Sequence, residues 1–207
     1  MILETVVVGP LQVNCYIVGC EQSKKAAVID PGDNVDAILA ALAGHKLTVQ
    51  YIINTHEHFD HVGGNKRLKE VTGAKLLAHE KAAAEIVNIS SRAAIWGMQA
   101  EDSPAADRFL QEGDQVIVGD SVTLEVFETP GHSLGSICLA TSGAVFVGDL
   151  IFAGSIGRTD FPGGDYQVLL SSVREKVFTL DNETVIYPGH GPATTVGREK
   201  LTNPFFT

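Results

Sequence analysis

The stretch NTHEHFDHVGG, residues 54–64, gathers three of the chain's seven histidines, with two acids, into positions 56–61. On a helix, His58 would point about 200° away from His56 at ~100° per residue. As alternate residues at the end of a strand, the two histidines share one side. A following turn then presents Asp60 and His61 from the next element. The stretch therefore predicts a strand end and turn that bring several metal-type ligands together.

Three later loops each add one ligand-type side chain directly after an apolar β run. TPGHS contains His132, FVGDL contains Asp149 and YPGHG contains His190. Loops held by a rigid scaffold commonly carry functional residues. We therefore predict that one set of side chains converges on a metal site: His56, His58, Asp60, His61, His132, Asp149 and His190.

Short β-branched runs recur along the chain and alternate with amphipathic helical stretches. The runs form two groups, residues 1–80 and 113–190, which favours two mixed sheets packed face to face with helices outside. Residues 86–112 are neither strand-like nor clearly periodic, and a long excursion of this kind is often a lid or binding loop. Its Trp96 is predicted to lie in the core or to line a substrate groove. The length predicts one domain over residues 1–207.

The formal net charge of −10 argues against nucleic acid and anionic membranes as partners. Three cysteines without a C-x-x-C pair indicate reduced thiols. The N-terminus does not resemble a signal peptide, and no apolar run approaches the ~20 residues of a membrane span. We expect a cytoplasmic enzyme with a small-molecule substrate, and the sequence leaves the oligomeric state open.

THEHFDHVGG matches the H-x-H-x-D-H signature of the metallo-β-lactamase superfamily, which the chain resembles from NCYIVG and VIDPGD to NPFF. The resemblance implies an α+β fold, a four-layer αββα sandwich with the metal site at one edge of the sheets. It also implies how the ligands divide. His56, His58 and His132 bind one metal, Asp60, His61 and His190 bind a second, and Asp149 bridges the two.

A ligand set of nitrogen and oxygen without thiolate suits zinc, iron or manganese, and we expect two divalent ions, zinc foremost. Two metals about 3.5–4 Å apart can share a hydroxide and polarise a substrate oxygen. Asp60 and Asp149, the two carboxylates among the predicted ligands, are the candidate catalytic residues. Asp30 in VIDPGD either orients the metal loops through hydrogen bonds or simply forms the turn before Pro31.

GPLQVNCYIVG, GRTDFPGGD and NPFF are similar to the hydroxyacylglutathione hydrolase (glyoxalase II) branch, which hydrolyses thioesters such as S-lactoylglutathione. A thiolate leaves readily because a thiol pKa is about 8.5, so no strong general acid is required. Only residues 191–207 follow His190, so the chain resembles the single-domain type without the additional helical domain. Contacts to the thiol carrier would come from Arg158 or Lys200, although Arg158 could equally pair with Asp160 or Asp165.

Three alternatives stay open. A persulfide dioxygenase of the same superfamily would use His56, His132 and Asp149 as an iron triad, which leaves Asp60, His61 and His190 without an evident role as metal ligands. A superfamily nuclease should carry a basic surface, which the net charge opposes. A non-catalytic metal-binding protein would usually have lost some of the seven ligands.

Overall fold

The computed structural model describes residues 1–95 and 97–207. Trp96 lies outside the described residues, so its position in the core or in a substrate groove stays a prediction.

The first sheet contains six strands in sequence order. β1, β2 and β3 pair antiparallel, and β3, β4, β5 and β6 pair parallel. Their bounds are Ile2–Val8, Val13–Gly19, Lys25–Ile29, Thr48–Ile53, Lys75–His79 and Arg108–Leu110.

The second sheet also contains six strands, in the order β14-β13-β10-β9-β8-β7. Only β10 and β13 pair parallel, and the remaining neighbours are antiparallel. A separate two-stranded hairpin is formed by β11 and β12. The bounds of β7 to β14 are Gln115–Val118, Val122–Glu128, Ile137–Thr141, Ala144–Gly148, Ile151–Phe152, Ser155–Ile156, Val185–Pro188 and Thr194–Thr195.

Helices cover the outer faces of both sheets, and a short 3-10 turn at Val177–Thr179 follows α6. The helices α1 to α7 are Val35–Gly44, Phe59–Val62, Asn65–Thr72, Glu80–Ile86, Ile89–Ile95, Tyr166–Glu175 and Val196–Thr202. None of these, over the described residues, combines the length and apolar character needed to cross a membrane.

Three main apolar layers hold the four layers of secondary structure together. Successive strand residues point to opposite faces of a sheet. Ile17 of β2 therefore packs in the layer beneath α1 and α3, whereas Val18 packs between the sheets. In the same way Phe146 of β10 lies between the sheets and Val145 packs against α6 and α7. This arrangement confirms the predicted four-layer αββα sandwich.

Two local predictions were wrong. The stretch 86–112 contains regular structure, because α5 occupies Ile89–Ile95 and β6 adds Arg108–Leu110 to the edge of the first sheet. Only Leu110 of the three β6 residues is buried, so the strand has no visible alternation. His56 and His58 do not lie on a strand end either, because β4 ends at Ile53 and both histidines belong to the following loop.

Candidate metal centre

The seven predicted ligands reach one place because of strand direction. β8 and β10 are both antiparallel to β9, and β13 is parallel to β10, so all three run the same way. The loops after them therefore leave the sheet at one edge and carry His132, Asp149 and His190. The loop after β4 of the first sheet meets this edge, where the Ile137 N–H donates to the Thr55 carbonyl at 2.8 Å.

One group of imidazole nitrogens lies around His58. Its Nδ1 is 3.1 Å from His56 Nε2 and 2.9 Å from His132 Nε2. Donor atoms of the three side chains all lie within 4.8 Å of one another. Three nitrogens at these separations can surround one cation, and neutral imidazole is a common metal ligand.

A second group combines a carboxylate with two imidazoles. Asp60 Oδ2 lies 3.3 Å from His190 Nε2 and 3.7 Å from His61 Nε2. Asp149 stands between the groups, because its Oδ1 is 3.5 Å from His61 Nε2 while its Oδ2 is 3.8 Å from His132 Nε2. One carboxylate thus faces ligands of both groups.

Hydrogen bonds on the far side of the rings indicate which imidazole nitrogen is bare. His132 Nδ1 donates to the Arg158 carbonyl at 2.8 Å, and His190 Nδ1 donates to the Leu11 carbonyl at 3.0 Å. Each ring then presents Nε2, without a proton, to the site. His56 is set similarly, since its Nδ1 lies 3.0 Å from Thr55 Oγ1.

Asp30 fixes the loop after β4 through hydrogen bonds to Thr55 and His61. Its Oδ1 accepts the Thr55 N–H at 2.8 Å, while its Oδ2 accepts the Thr55 hydroxyl at 2.6 Å and lies 3.0 Å from His61 Nδ1. Asp30, His56 and His61 are also close enough to form a third metal-binding group. We favour an orienting role for Asp30, because both of its oxygens already accept hydrogen bonds. These are the hydrogen bonds that the orienting alternative predicted for Asp30.

Two polar atoms of the site lack a hydrogen-bonding partner within the described part of the protein. His61 Nε2 and Asp149 Oδ1 are buried without a hydrogen-bond partner. They face each other at 3.5 Å, which is too long for a good hydrogen bond. Unsatisfied buried groups of this kind are costly and rare in native proteins. A metal ion coordinated by both atoms would satisfy them, so the residues present fit a metal centre.

Electrostatics favour a cation in the same place. Burial, together with His61, holds the pKa of His56 well below its usual range, and burial with His132 lowers that of His58 to about 3. Burial opposes charge on Asp149, but His61, His190 and His132 outweigh it and hold the carboxyl pKa well below normal. Conversely, Asp149 and Asp60 overcome burial and raise the pKa of His61. The pKa of His190 is raised as well, because its bond to Asp60 and the charge of Asp149 outweigh burial. The two carboxylates therefore favour positive charge beside them, which a metal ion would supply.

Close packing places Asp149 beside His61. A Cβ on Gly189 would lie 2.3 Å from Asp149 Oδ1 and 2.7 Å from His61 Cε1. Any side chain at this position would therefore displace a predicted ligand, and glycine leaves the room for both.

The two predicted substrate-binding cations lie in different surroundings. Arg158 pairs with Asp160 through bonds of 2.8 and 2.7 Å and stacks over Phe161 at 3.6 Å. It rims the site, because its carbonyl is the acceptor for His132 and Phe161 contacts the His58 ring. Lys200 donates to Asn182 Oδ1 at 3.0 Å, and no contact among the described residues joins it to the seven predicted ligands. A substrate role for either stays a prediction.

Sequence reasoning missed a buried cluster between the ligand loops. Glu57 Oε2 accepts the Ser133 hydroxyl at 2.8 Å, and Ser133 Oγ lies 3.0 Å from Ser136 Oγ. Burial raises the pKa of Glu57. The cluster ties the loop of His56 and His58 to the loop of His132. Its only signal in the sequence is that Glu57 and Ser133 directly adjoin predicted ligands.

Comparison with known proteins agrees with this fold. The family model of the metallo-beta-lactamase superfamily matches residues 8–190. The chain therefore belongs to the metallo-β-lactamase superfamily, and the family and its named relatives indicate a metallohydrolase with a small-molecule substrate.

Individual relatives extend over nearly the whole chain. Hydroxyacylglutathione hydrolase GloC of Haemophilus influenzae is 34% identical over 208 residues, covering 99% of this chain and 98% of that protein. The crystal structure of BLEG-1 B3 metallo-beta-lactamase is similar with a TM-score of 0.92 at 35% identity, covering 100% of both chains. TTHA1623 in a di-iron-bound form has a TM-score of 0.89 at 37% identity, covering 98% of this chain and 99% of that one.

Proposed function

We propose that the chain is a binuclear metallohydrolase that cleaves thioesters, namely S-acylglutathiones such as S-lactoylglutathione. The observation that carries the proposal is Asp149, which lies between the two groups of ligands: its Oδ1 is 3.5 Å from His61 Nε2, and its Oδ2 is 3.6 Å from His190 Nε2 and 3.8 Å from His132 Nε2. A carboxylate in that position offsets the repulsion between two dications.

In the proposed holoenzyme the ligands divide between two ions. His56, His58 and His132 would hold one ion, Asp60, His61 and His190 would hold the other, and Asp149 would contact both. Zinc is the first choice, because nitrogen and oxygen donors without thiolate suit it, and iron or manganese would also fit. When bound, two such ions generate a nucleophile from water and polarise the substrate carbonyl.

The chain's own residues orient the reactants. Asp60 is the carboxylate of the second group, with its side chain 15% exposed and Oδ2 3.3 Å from His190 Nε2. From there it can accept a hydrogen bond from the attacking water. The water oxygen joins the acyl carbon, the C–S bond breaks, and the electron pair leaves on sulfur as a thiolate. The proton that the water gives up ends on this sulfur, so the products are an acid and a thiol. A thiol pKa of about 8.5 lets that leaving group depart without a strong general acid.

Glutathione is proposed as the carrier on two grounds. A relative that is 34% identical over nearly the full chain is named a hydroxyacylglutathione hydrolase. Arg158, on the rim beside His132 and Phe161, is a cation that a carboxylate of glutathione could approach. Its existing pair with Asp160 would have to open or be shared for that contact.

A mononuclear iron dioxygenase accounts for the site less well. It would use His56, His132 and Asp149. Asp60, His61 and His190, whose donor atoms lie within 4.8 Å of one another, would then have no metal ion to bind. Iron content alone does not separate the two activities, because a solved neighbour is described in a di-iron-bound form.

The test uses one purified sample. Zinc, iron and manganese are quantified, hydrolysis of S-lactoylglutathione is measured, and the assay is repeated after chelation and after reloading with each metal. We expect about two ions per chain and an activity that chelation removes and zinc or manganese restores. Oxygen uptake with glutathione persulfide, together with no thioester hydrolysis under any metal, would replace the proposal with the dioxygenase.

A further inference from the structure

A groove of about 790 Å³ opens beside the proposed catalytic centre on the side of Asp60. Its walls are the turn between β1 and β2, the start of α1, the α2–α3 connection, and α5 with residues 98–101. The volume falls within the range of about 300–1,000 Å³ that is typical of small-molecule sites. It is far larger than a lactoyl group requires.

Apolar side chains make up much of the groove surface. Val8, Leu11, Phe59, Ala94 and Met98 all line it. Leu11 is 47% exposed, and its carbonyl is the acceptor for His190 Nδ1. That carbonyl meets the nitrogen of His190 that points away from the proposed metal, and Asp60 is the predicted ligand that lines the groove itself.

The charged groups that line the groove are mainly acidic. Asp33, Asp36, Asp60 and Glu101 face it together with a single cation, Arg67. Arg67 is already paired with Asp36 at 2.5 Å, and Lys66 reaches Glu101 at 3.7 Å from outside the lining. Among the described residues no cation pairs with Asp33. With Asp60 assigned to the metal, and Asp36 and Glu101 paired, Asp33 is the acid of the lining that would repel an anionic ligand.

The geometry points to a division of the substrate between two sides of the metal centre. Arg158 rims the side of His58 and His132, whereas the acidic, apolar groove adjoins Asp60. The two arms of a thioester leave its carbonyl carbon in different directions. The anionic carrier lies towards Arg158, and the acyl arm lies in the groove. That acyl arm is an uncharged, largely apolar chain several carbons longer than lactoyl.

This inference rests on the proposed thioesterase function, and a series of S-acylglutathiones tests it with the carrier held constant. Burying one methylene contributes up to about fourfold, by the ~0.8 kcal/mol per CH₂ of apolar transfer. We expect kcat/KM to rise at least tenfold from acetyl to hexanoyl. Adipoyl, which ends in a carboxylate at the same length, should fall at least tenfold below hexanoyl.

Two variants locate the effect, each with a matched control. Ala94→Trp fills the groove and should abolish the gain with chain length, whereas Ala84→Trp, at an exposed position on α4 outside the groove lining, should not. Asp33→Asn should raise the adipoyl-to-hexanoyl ratio severalfold, and Asp120→Asn, in the exposed β7–β8 turn, should leave it unchanged.

Binding without hydrolysis separates failure of the inference from failure of the function. The affinities of the metal-loaded protein for S-methylglutathione and S-hexylglutathione, which cannot be hydrolysed, are compared by calorimetry. Tighter binding of the hexyl compound, lost in Ala94→Trp, supports the groove even if no thioester is cleaved. Equal affinities, or active hydrolysis that is independent of acyl length and charge, would overturn the assignment.

Discussion

Asp30 Oδ2 lies 3.0 Å from His61 Nδ1, and the two side chains are 2% and 0% exposed. Nδ1 of His61 donates to this carboxylate, so the opposite nitrogen is directed at Asp60 and Asp149 and, in the neutral ring, can bind a cation. Thr55 bonds to the same acid through its N–H and its hydroxyl. A residue that contacts neither the proposed metal nor the substrate thus sets the orientation of a proposed ligand.

Replacing Asp30 should therefore weaken metal binding. Asp30→Asn keeps the shape but removes the charge and one acceptor, and loss of a partner of this kind typically costs about 10–100-fold in metal affinity or activity. Metal titration of the chelated protein provides the measurement. Asp120→Asn, in an exposed turn, is the control and should bind metal normally. Unchanged affinity in Asp30→Asn would contradict the orienting role.

Asp149 should be the most sensitive single position in the site. The other proposed ligands each serve one ion, whereas this carboxylate faces both groups. Asp149→Asn should lower the affinity for at least one ion and reduce turnover by several orders of magnitude. Metal content per chain and kcat are measured in parallel with His45→Gln, a partly exposed histidine that pairs with Glu4. Two ions per chain with near-normal turnover would show that the bridging assignment is wrong.

A methyl group at position 189 should disturb the same carboxylate. The added Cβ of Gly189→Ala would lie 2.3 Å from Asp149 Oδ1, so one of the two must move. We expect loss of metal and at least a hundredfold loss of activity, since a misplacement of about 1 Å can cost that much. Gly44→Ala, at the end of α1 with nothing within 4 Å of the new Cβ, is the matched control. Full activity in Gly189→Ala would mean that the loop relaxes without cost.

Glu199 should matter for stability because it joins the C-terminal helix to the hairpin that follows Asp149. It is fully buried and accepts the Gly154 N–H at 2.9 Å, the Thr194 hydroxyl at 2.6 Å and the Asn203 amide at 2.8 Å. Glu199→Leu leaves these donors unpaired, at about 1–3 kcal/mol for each buried group left unsatisfied.

Urea unfolding of Glu199→Leu should therefore show a free energy of unfolding lower by roughly 3 kcal/mol or more. Glu183→Leu, the same change at an exposed position, should stay within about 0.5 kcal/mol of the parent. If the two variants unfold at equal urea concentrations, the buried hydrogen bonds contribute nothing net to stability.

The sequence by itself determined the fold class and the identity of the candidate ligands. Alternating apolar runs such as 115–118 and 122–128 indicate half-buried strands because the pattern is local to each strand. Likewise, three histidines and an acid around residues 56–61 are visible without any knowledge of the fold. Glyoxalase-like motifs at both ends of the chain extended the prediction to the whole sandwich.

Only the tertiary structure decided how those ligands are held. His190 Nδ1 meets the carbonyl of Leu11, which is 179 positions away, and His132 meets the carbonyl of Arg158. Every residue has a carbonyl, so no sequence pattern marks these two. β6 was missed for a related reason, since a strand of three residues with one buried side chain has no readable period. The acidic groove is likewise built from segments that only folding brings together. Local patterns specify which side chains are available, whereas contacts between distant segments decide where each one points.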